Sequence, residues 1–381
     1  MRARSFKQWA ENEQTKHLEI EVDVYQTLEN THFIYNFGVI LYNVIQKVCP
    51  SFHHVYFNFL EIFGQFKYPG TILGQNSFRN KIHDSNPDII VSTHAHLNHG
   101  FFALAKKFSK NKNLKCITYC GELYGGYGFS KHWVNPDADL FIGAVQETCD
   151  TAFKLGMAPE KTLNGGFLLN PNFYETHFTE EERAKYIKEE LGLDPDQFIL
   201  ILGTGANGAN NHMELINELI SKNVKTQVIA LCSRNEELFD QLTAFSNKNT
   251  CLTIKPLGYS NEMGRLLQCA SAVVARSGTG LTSEAILSAC PIIFNGLGGV
   301  MPQENITLKY CRRHNIGIAL KRPSSISRIV KALIENPEKL KERKMRKARR
   351  RPKLTPFNIL TIIKELSEGN NTPKPSISIN G

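Results

Sequence analysis

The feature that most constrains the fold is an alternation of short apolar runs with helical patterns, which passes through the chain twice. Apolar runs of about four to eight residues between turn signals are typical of buried strands, and longer amphipathic stretches are typical of helices. When the two alternate, they favour a parallel sheet covered by helices on both faces. In the first half the strand-like runs are residues 18–25, 87–93, 114–119 and 140–144.

The alternation pauses at residues 164–172, which are rich in Gly, Asn and Pro, and then restarts with strand-like runs at 198–202, 226–232, 251–255, 272–275 and 291–295. We therefore predict an α/β protein of two doubly wound domains. The expected domains are residues 1–170 and 171–353. A helix at 354–370 is expected to pack back on the first domain, and residues 371–381 are predicted to be a disordered tail.

The positive charge of the chain is concentrated in one short segment. Residues 339–353 contain ten Lys or Arg and a single acid, Glu342, so this segment alone accounts for the net charge of +9. The rest of the chain is formally neutral. This distribution argues against a nucleic-acid groove spread over the fold, and we expect no nucleic-acid partner.

The cysteine pattern and the absence of long apolar runs predict the cellular compartment of the protein. The nine cysteines are scattered, odd in number and without a Cys-x-x-Cys pair, which argues against a disulfide framework or a zinc ribbon. The chain opens with polar, helix-like residues rather than a basic and then apolar leader. No run approaches the roughly 18 apolar residues that a membrane-spanning helix needs. We expect a cytoplasmic protein that does not cross a membrane.

Two glycine-rich turns in the second half follow predicted strands. Residues 203–208 read Gly-Thr-Gly-Ala-Asn-Gly, a pattern whose backbone amides can approach a pyrophosphate at a helix N-terminus. A dinucleotide site needs an acid at the end of the next strand, where this chain has Ser233 and Arg234, so a nicotinamide cofactor is disfavoured. A tight turn without a ligand is the alternative interpretation.

The second turn, residues 276–285, reads Arg-Ser-Gly-Thr-Gly-Leu-Thr-Ser-Glu-Ala. Its small residues begin a predicted helix whose amides can hold phosphate, and Glu284 lies one turn later, where a carboxylate can accept both hydroxyls of a ribose. The alternative is that Glu284 only complements the helix dipole.

These turns, with Leu257-Gly258-Tyr259 and Pro302-Gln303-Glu304-Asn305, occur in the order found in one family. Residues 80–320 resemble GT-B glycosyltransferases of the MurG and monogalactosyldiacylglycerol synthase type. The resemblance implies two Rossmann-like domains facing a cleft, no tightly bound cofactor and a UDP-sugar donor. It implies a nucleotide-sugar site formed by Gly203, Thr204, Gly205, Arg234, Gly258, Arg276, Ser277, Gly278, Thr279, Gly280, Leu281, Thr282, Glu284, Gln303, Glu304 and Asn305.

The first half carries a histidine-rich turn, Thr93-His94-Ala95-His96-Leu97-Asn98-His99-Gly100. It is similar to the two-metal turn of metallo-β-lactamase-fold hydrolases, except that Asn98 stands where those enzymes have Asp. Because that change removes a charged ligand, we predict no metal site. In the glycosyltransferase interpretation, His94 and His99 line the cleft. The alternative is that these histidines cap the following helix.

Glu122 follows the next predicted strand and resembles an acidic residue that faces the acceptor in the same family. An inverting transfer needs a base to remove the proton of the attacking hydroxyl. We predict Glu122 as the first candidate base and His94 or His99 as the second, against the alternative of a solvated loop carboxylate.

The family opens with a strand and a Gly-Gly-His loop, and the printed sequence contains neither. We therefore expect the first strand of the N-terminal domain, about twenty residues, to be missing relative to the family, which makes activity of the printed chain uncertain.

The acceptor is predicted from surface chemistry. Residues 32–66 are dense in aromatics with little charge, which suits a surface that enters a lipid headgroup layer, although a core helix pair has the same pattern. The basic segment 339–353 can bind anionic lipid, and a solvated helix face or a nucleic-acid contact are its alternatives.

The sequence therefore predicts an inverting transfer of galactose, glucose or N-acetylglucosamine from UDP to a membrane lipid such as diacylglycerol. We expect the enzyme to be peripheral on the cytoplasmic face of a membrane. Two alternatives stay open. One is a non-catalytic subunit that binds UDP-sugar and membrane, and the other is a hydrolase that uses His94, His96 and His99.

Overall fold

The computed structural model describes residues 2–48, 52–62, 68–175, 177–203, 211–248 and 251–369. These residues form two compact units. The first contains the described residues within 2–44, 52–171 and 352–369, and the second contains the described residues within 45–48 and 172–351.

Both units alternate strands and helices along the chain. The elements up to residue 171 are α1 (Arg2–Ala10), α2 (Thr27–Thr31), α3 (Phe33–Val48), α4 (His53–Ile62), α5 (Gln75–Ser85), β1 (Ile89–Ser92), α6 (Gly100–Phe108), β2 (Lys115–Cys120), β3 (Leu140–Gly143), α7 (Gln146–Lys154) and β4 (Thr162–Asn164). The elements after residue 171 are α8 (Asn172–Glu175), α9 (Glu180–Glu189), β5 (Ile199–Leu202), α10 (His212–Ser221), β6 (Gln227–Ser233), α11 (Glu236–Lys248), β7 (Thr253–Gly258), α12 (Met263–Cys269), β8 (Ala272–Ala275), α13 (Thr279–Leu287), β9 (Ile292–Asn295), α14 (Pro302–Arg313), β10 (Gly317–Leu320), α15 (Ser325–Ile334), α16 (Pro337–Ala348) and α17 (Pro356–Ser367).

The first unit contains a four-stranded sheet in the order β1-β2-β3-β4, and every neighbouring pair is parallel. The strands β2 and β3 are buried along almost their whole length, whereas three of the four residues of β1 are only half-buried. A cluster built around Phe78, Phe101 and Leu104 joins α5 and α6 to this sheet. The last helix, α17, belongs to this unit and packs against α1.

The second unit contains a six-stranded parallel sheet in the order β10-β9-β8-β5-β6-β7. Its central strands consist of buried branched and aliphatic residues, as expected for strands covered on both faces. The chain builds β5, β6 and β7 in one direction and then crosses to the other side of β5 with β8. The turns after β5 and β8 therefore diverge at the carboxyl edge of the sheet, where ligands bind in open α/β sheets.

The prediction of two doubly wound α/β sheets is confirmed by this architecture. The strand predicted at residues 18–25 is wrong. Lys16–Leu18 is a short 3-10 helix, and the residues from 19 to 26 form neither helix nor strand. The alternation of Ile20, Val22 and Val24 with acids is strand-like, but a strand also needs a neighbour at ladder distance. No described strand pairs with this segment.

The basic segment differs from a uniformly solvated face. It forms most of α16, and most of its cationic side chains are exposed, but Lys347 is 1% exposed. Burial lowers the pKa of Lys347 to about 8, and the neighbouring thiols of Cys290 and Cys311 oppose that shift. One of the ten cationic residues therefore faces the interior of the second unit.

Candidate active site

Several of the predicted nucleotide-sugar site residues of the second unit lie where the turns after β5 and β8 diverge. Gly203 directly follows β5, and its N–H donates to the carbonyl of Val274 in β8 at 2.8 Å. A Cβ added at Gly203 would lie 3.1 Å from that carbonyl oxygen and 3.3 Å from Leu281. Glycine is therefore needed here because β5, β8 and α13 approach one another closely. The predicted site residues Thr204 and Gly205 lie outside the described residues.

The N-terminus of α13 is open. Its N-cap residue, Gly278, provides no side-chain hydrogen bond, and a Cβ added there would meet no atom within 4 Å. The first-turn residues Thr279, Gly280 and Leu281 are half-buried, and Ser277 and Thr282 are buried. First-turn N–H groups and the positive end of the helix dipole bind anions, so this end of α13 can hold a phosphate group.

Glu284 lies on α13 less than two turns from its N-terminus and is 7% exposed. An acid that only complements a helix dipole is normally solvated, because burying a carboxylate is costly. The burial of Glu284 therefore favours a specific role over a general electrostatic one.

Arg276 and Glu304 form a bidentate ion pair between the end of β8 and the start of α14. Nε of Arg276 donates to Oε1 of Glu304 at 3.0 Å, and a terminal guanidinium nitrogen donates to Oε2 at 2.6 Å. The other terminal nitrogen donates to the carbonyl of Leu297 at 3.0 Å. Glu304 also accepts from the N–H of Met301, the N-cap residue of α14. The pair fixes the β8–α13 turn against the first turn of α14.

Gln303 directly precedes Glu304 in the first turn of α14. Oε1 of Gln303 is buried and has no hydrogen-bond partner in the part of the chain that the structure describes. Asn305 follows one residue after Glu304 and is half-buried. A buried amide oxygen without a partner is costly, so a ligand hydroxyl that donates to it would be favoured.

Arg234 and Gly258 lie at the carboxyl ends of the neighbouring strands β6 and β7, where Ser233 and Gly258 are register partners. The guanidinium of Arg234 lies over the ring of Tyr259, 5.5 Å from its centroid, and both side chains are exposed. The structure thus brings these two predicted residues to the same edge of the sheet as the β5 and β8 turns.

In the first unit, four imidazoles lie close together beyond the end of β1. The ring centroids of His94 and His96 are 5.5 Å apart, and those of His96 and His132 are 5.2 Å apart. The ring of His99 lies perpendicular to that of His132 at 6.0 Å. Burial lowers the pKa of His96 to about 3, and the other three imidazoles contribute to that shift. His96 is therefore neutral at physiological pH.

The turn that holds these histidines depends on Asn98, which is fully buried. Its side-chain N–H groups donate to the carbonyls of Ala95, His132 and Trp133, each at 3.2 Å. A carboxylate could not make these donations. Among the described residues, no group of three or more His, Cys, Asp or Glu is arranged to hold a metal ion. This geometry does not support the two-metal hydrolase interpretation. The capping alternative is seen for His94, whose Nδ1 accepts from the N–H of His96 at 3.3 Å.

Glu122 follows β2, next to β1 in the sheet, so it lies at the same edge as the histidines. Its Oε2 is buried and has no hydrogen-bond partner among the residues described. Burial raises the pKa of Glu122 to about 7, and the positive charge of Arg2 opposes that shift. A carboxyl group with a pKa near 7 can act as a general base at physiological pH. A buried Oε2 does not fit the alternative of a solvated loop carboxylate.

Arg2 and His132 lie in this cluster although sequence reasoning did not identify them, and Asn98 was identified only as the replacement of an Asp. Arg2 donates to the carbonyl of Leu168 at 2.9 Å, and its Nε would lie 3.3 Å from a Cβ added at Gly121, beside Glu122. No local sequence signal identifies Arg2 or His132, because each meets its partners through tertiary packing. For Asn98, the difference from the Asp of the metallo-β-lactamase-fold turn was the sequence signal that pointed to this position.

The aromatic segment of the first unit forms an exposed apolar surface on α3 and α4. Phe33 is 75% exposed, Phe37 63%, Val55 59% and Phe59 53%. On α4, the ring of His54 stacks on that of Tyr127 with 5.7 Å between the centroids. Nδ1 of His54 is also hydrogen-bonded to the hydroxyl of Tyr127 at 2.9 Å. This degree of exposure excludes a simple core helix pair. In the described part of the chain, no helix has the length and apolar character needed to cross a bilayer.

Comparison with known protein families matches both halves of the chain. Residues 2–167 match the family described as monogalactosyldiacylglycerol (MGDG) synthase. Residues 198–354 match the glycosyltransferase family 28 C-terminal domain.

Individual relatives agree with these matches. A processive diacylglycerol beta-glucosyltransferase of Staphylococcus epidermidis is 25% identical over 269 residues, which cover 70% of this chain and 64% of that protein. A probable chloroplastic monogalactosyldiacylglycerol synthase 2 of Oryza sativa is 24% identical, covering 64% of this chain and 51% of that one. The matched region thus spans less than two thirds of the relatives' length.

Solved structures share the fold. Acinetobacter baumannii MurG superposes with a TM-score of 0.56 at 13% identity, covering 77% of each chain. Os79 of O. sativa, solved with UDP, gives a TM-score of 0.55 at 11% identity and covers 80% of this chain and 84% of its own. The predicted GT-B fold is confirmed.

Proposed function

We propose that this chain, which carries the two domains of GT-B glycosyltransferases of the MurG and monogalactosyldiacylglycerol synthase type, transfers a hexose from a UDP-sugar to a membrane lipid. Diacylglycerol is the acceptor we favour, because the relatives named above are diacylglycerol glycosyltransferases. The observation that carries the proposal is the open N-terminus of α13 with the buried Glu284 on the same helix.

The second unit supplies the donor site. The pyrophosphate of UDP accepts from the N–H groups of Thr279, Gly280 and Leu281, where the helix dipole favours negative charge. Glu284 accepts from both ribose hydroxyls. The hexose donates a hydroxyl to Oε1 of Gln303, which is buried and lacks a partner in the described chain.

The ion pair of Arg276 and Glu304 fixes the position of this donor site. Its three guanidinium hydrogen bonds go to protein oxygens, so its charge is largely committed before any ligand arrives. We therefore assign Arg276 and Glu304 to holding the β8–α13 turn and the first turn of α14 together. Gln303 and Asn305, on either side of Glu304, are the residues that we assign to contact with the sugar. Arg234 and Gly258 complete the site at the ends of β6 and β7.

The first unit supplies the base. The acceptor hydroxyl loses its proton to the carboxylate of Glu122 while its oxygen bonds to the anomeric carbon from the side opposite UDP. The bond from that carbon to the phosphate oxygen breaks, and UDP leaves with the electron pair. The amides and dipole of α13 stabilise the new negative charge, so no acid is required. This displacement inverts the anomeric configuration. His99 or His94 is the second candidate base.

The acceptor reaches the protein at a membrane surface. The exposed aromatic and aliphatic residues on α3 and α4 suit insertion into the headgroup layer, and the cationic face of α16 suits anionic lipid. We propose a peripheral association with the cytoplasmic face of a membrane, with no nucleic-acid partner.

The deciding experiment is turnover of UDP-glucose, UDP-galactose and UDP-N-acetylglucosamine to UDP with diacylglycerol in anionic vesicles. We expect one donor to give lipid-dependent UDP release and a glycolipid with inverted configuration. UDP binding by calorimetry without turnover would instead indicate a non-catalytic UDP-sugar-binding subunit. Absence of both turnover and UDP binding would contradict the proposal.

A further inference from the structure

Helix α4 of the first unit has two faces of different character. Phe52, just before the helix, and Val55 and Phe59 within it are spaced by three and four residues, and each is more than half exposed. Side chains at this spacing lie on one side of a helix. None of the three is polar or charged. In the described part of the chain, α4 therefore presents an apolar face to the surroundings.

The opposite face of α4 contacts the loop that follows β2. The ring of Tyr127 stacks on that of His54 and lies edge-on to that of Phe57, with 6.0 Å between the second pair of centroids. The N–H of Lys131 donates to Oε2 of Glu61 at 3.1 Å. His54, Phe57 and Glu61 again have the spacing of a single helix face. Helix α4 thus holds the loop at two points, Tyr127 and Lys131.

The backbone of this loop turns sharply on both sides of Tyr127. Gly126 has a φ of 92° and Gly128 a φ of 102°, and the N–H of Phe129 donates to the carbonyl of Gly126 at 2.9 Å. Glycine adopts these angles readily, whereas other residues are strained there. The turn leaves Tyr127 46% exposed against α4, while Phe129 is buried. The local sequence is therefore suited to placing the ring of Tyr127 on the helix.

The same loop carries residues of the candidate active site near both ends. We call residues 121–134 the acceptor loop. Glu122, the proposed base, lies near its start. Lys131 is followed by His132, which is 3% exposed and has its ring centroid 5.2 Å from that of His96 and 6.0 Å from that of His99. A displacement of α4 would therefore reach the imidazole cluster through a single peptide unit.

We propose that Tyr127 is a positioning residue, which makes the arrangement of the acceptor loop depend on contact between α4 and the lipid surface. The inference rests on the proposed function, because the bilayer that holds the acceptor lipid is the occupant assigned to the apolar face of α4. An uncharged face with two exposed phenylalanine rings suits the boundary between headgroups and acyl chains. Lipid that holds α4 orders the loop bound to the other face of the helix, and such ordering couples two sites.

The emission of Trp133 tests this coupling without any substrate. The chain has two tryptophans, so subtracting the emission of Trp133→Phe from that of the native chain isolates the signal of Trp133. Vesicles of phosphatidylglycerol and phosphatidylcholine should reduce acrylamide quenching of Trp133 about twofold, because the loop becomes ordered. In Tyr127→Ala the vesicles should still bind in a sedimentation assay but leave the quenching unchanged. Equal protection of Trp133 in Tyr127→Ala and the native chain would overturn the proposal.

Three further variants distinguish positioning from general stability. Tyr127→Phe keeps the ring stack and should keep most of the protection, whereas Glu61→Ala removes the second support point and should lose it. Tyr68→Ala, at another exposed tyrosine of the first unit, is the matched control. Loss of protection in Tyr68→Ala would attribute the effect to general destabilisation and contradict the proposal. Protection that appears without vesicles as protein concentration rises would identify a second copy of the chain as the occupant, and the assignment to lipid would be wrong.

Kinetics provide a second readout. With diacylglycerol in vesicles, Tyr127→Ala should lower kcat about tenfold, a size typical of coupling between two sites, while the Kd for UDP is unchanged. Vesicle-dependent protection of Trp133 without sugar transfer would contradict the proposed function and leave the coupling supported. Sugar transfer with the same kcat in Tyr127→Ala and the native chain would contradict the coupling alone.

Discussion

The two sheets of this protein have the same parallel architecture but differ in how completely their groups are satisfied. In the second unit, β5 and β8 are fully buried with neighbours on both sides, and Arg276 and Glu304 saturate each other. In the first unit, β1 is half-buried beside a groove, and Oε2 of Glu122 has no partner among the described residues. The central strands of the second sheet thus have neighbours on both sides, whereas β1 of the first sheet has one described neighbour. Each unit also keeps a buried side-chain oxygen without a partner among the described residues, Oε1 of Gln303 in the second and Oε2 of Glu122 in the first.

The largest expected effect is on the unsatisfied carboxyl group of the first unit. Glu122→Gln keeps the shape but removes the base, so kcat should fall about 1,000-fold while UDP affinity is unchanged. Glu160→Gln, an exposed acid of the same unit, is the matched control. Steady-state kinetics and UDP calorimetry measure the two effects. Retention of full kcat would transfer the role of base to His99 or His94.

The raised pKa of Glu122 predicts how both activity and folding stability depend on pH. Its raised pKa of about 7 means that the required carboxylate is lost as pH falls through 7, so kcat/KM should drop below that pH. The same shift makes folding stability decline as pH rises through 7, because the folded protein retains a proton that the unfolded chain releases. Glu122→Gln should therefore raise Tm at pH 8. A flat rate profile between pH 6 and 8 would contradict the assignment.

Removal of a charged side chain from the second unit should lower stability, whereas Glu122→Gln in the first unit should raise it at pH 8. Arg276→Ala leaves Glu304 buried without its partner, which should lower the free energy of unfolding by about 3 kcal/mol. The double replacement of Arg276 and Glu304 by Met should recover much of that loss, because it removes both charges. Denaturant unfolding of the three variants measures this coupling. If Arg276→Ala and the native chain had equal free energies of unfolding, the ion pair would not stabilise the fold.

Binding of UDP tests the pre-formed site directly. Glu284→Ala removes two charge-assisted hydrogen bonds to the ribose, so the Kd for UDP should rise about 100-fold. Glu237→Gln, an exposed acid on α11, should bind UDP normally. Calorimetry with UDP decides the point, and unchanged affinity in Glu284→Ala would place the nucleotide elsewhere.

The smallest expected effect concerns the exposed surface of the first unit. Replacing Phe37 and Phe59 by Ser should weaken binding to anionic vesicles about tenfold without lowering Tm, because both rings are already exposed. Phe239→Ser, at a partly exposed ring on α11, is the control in the second unit. Vesicle sedimentation measures the difference. Equal loss in both variants would indicate nonspecific adsorption.

Several features of the site were accessible to sequence reasoning because they depend on local chemistry. The glycine-rich turn before α13, with Glu284 after it, is a local pattern, as is the position of Glu122 after a strand. The pairing of Arg276 with Glu304 was not accessible, since 27 residues separate them and each alone fits a ligand contact. Lys347 was similarly hidden inside a run of like charges, because the run does not reveal which helix face is inward.

The sequence by itself determined the strand and helix periods, the two-domain α/β class and the glycine turns, because each depends on residues close together in the chain. Tertiary structure alone decided which strands have neighbours, which carboxylates are paired and where Arg2 lies. Residues 18–25 show the difference between local sequence information and tertiary structure. Their alternation of apolar and acidic residues is typical of a strand, but a strand forms only when another backbone lies within ladder distance. Hydrogen-bond partners from distant segments cannot be read from local periodicity.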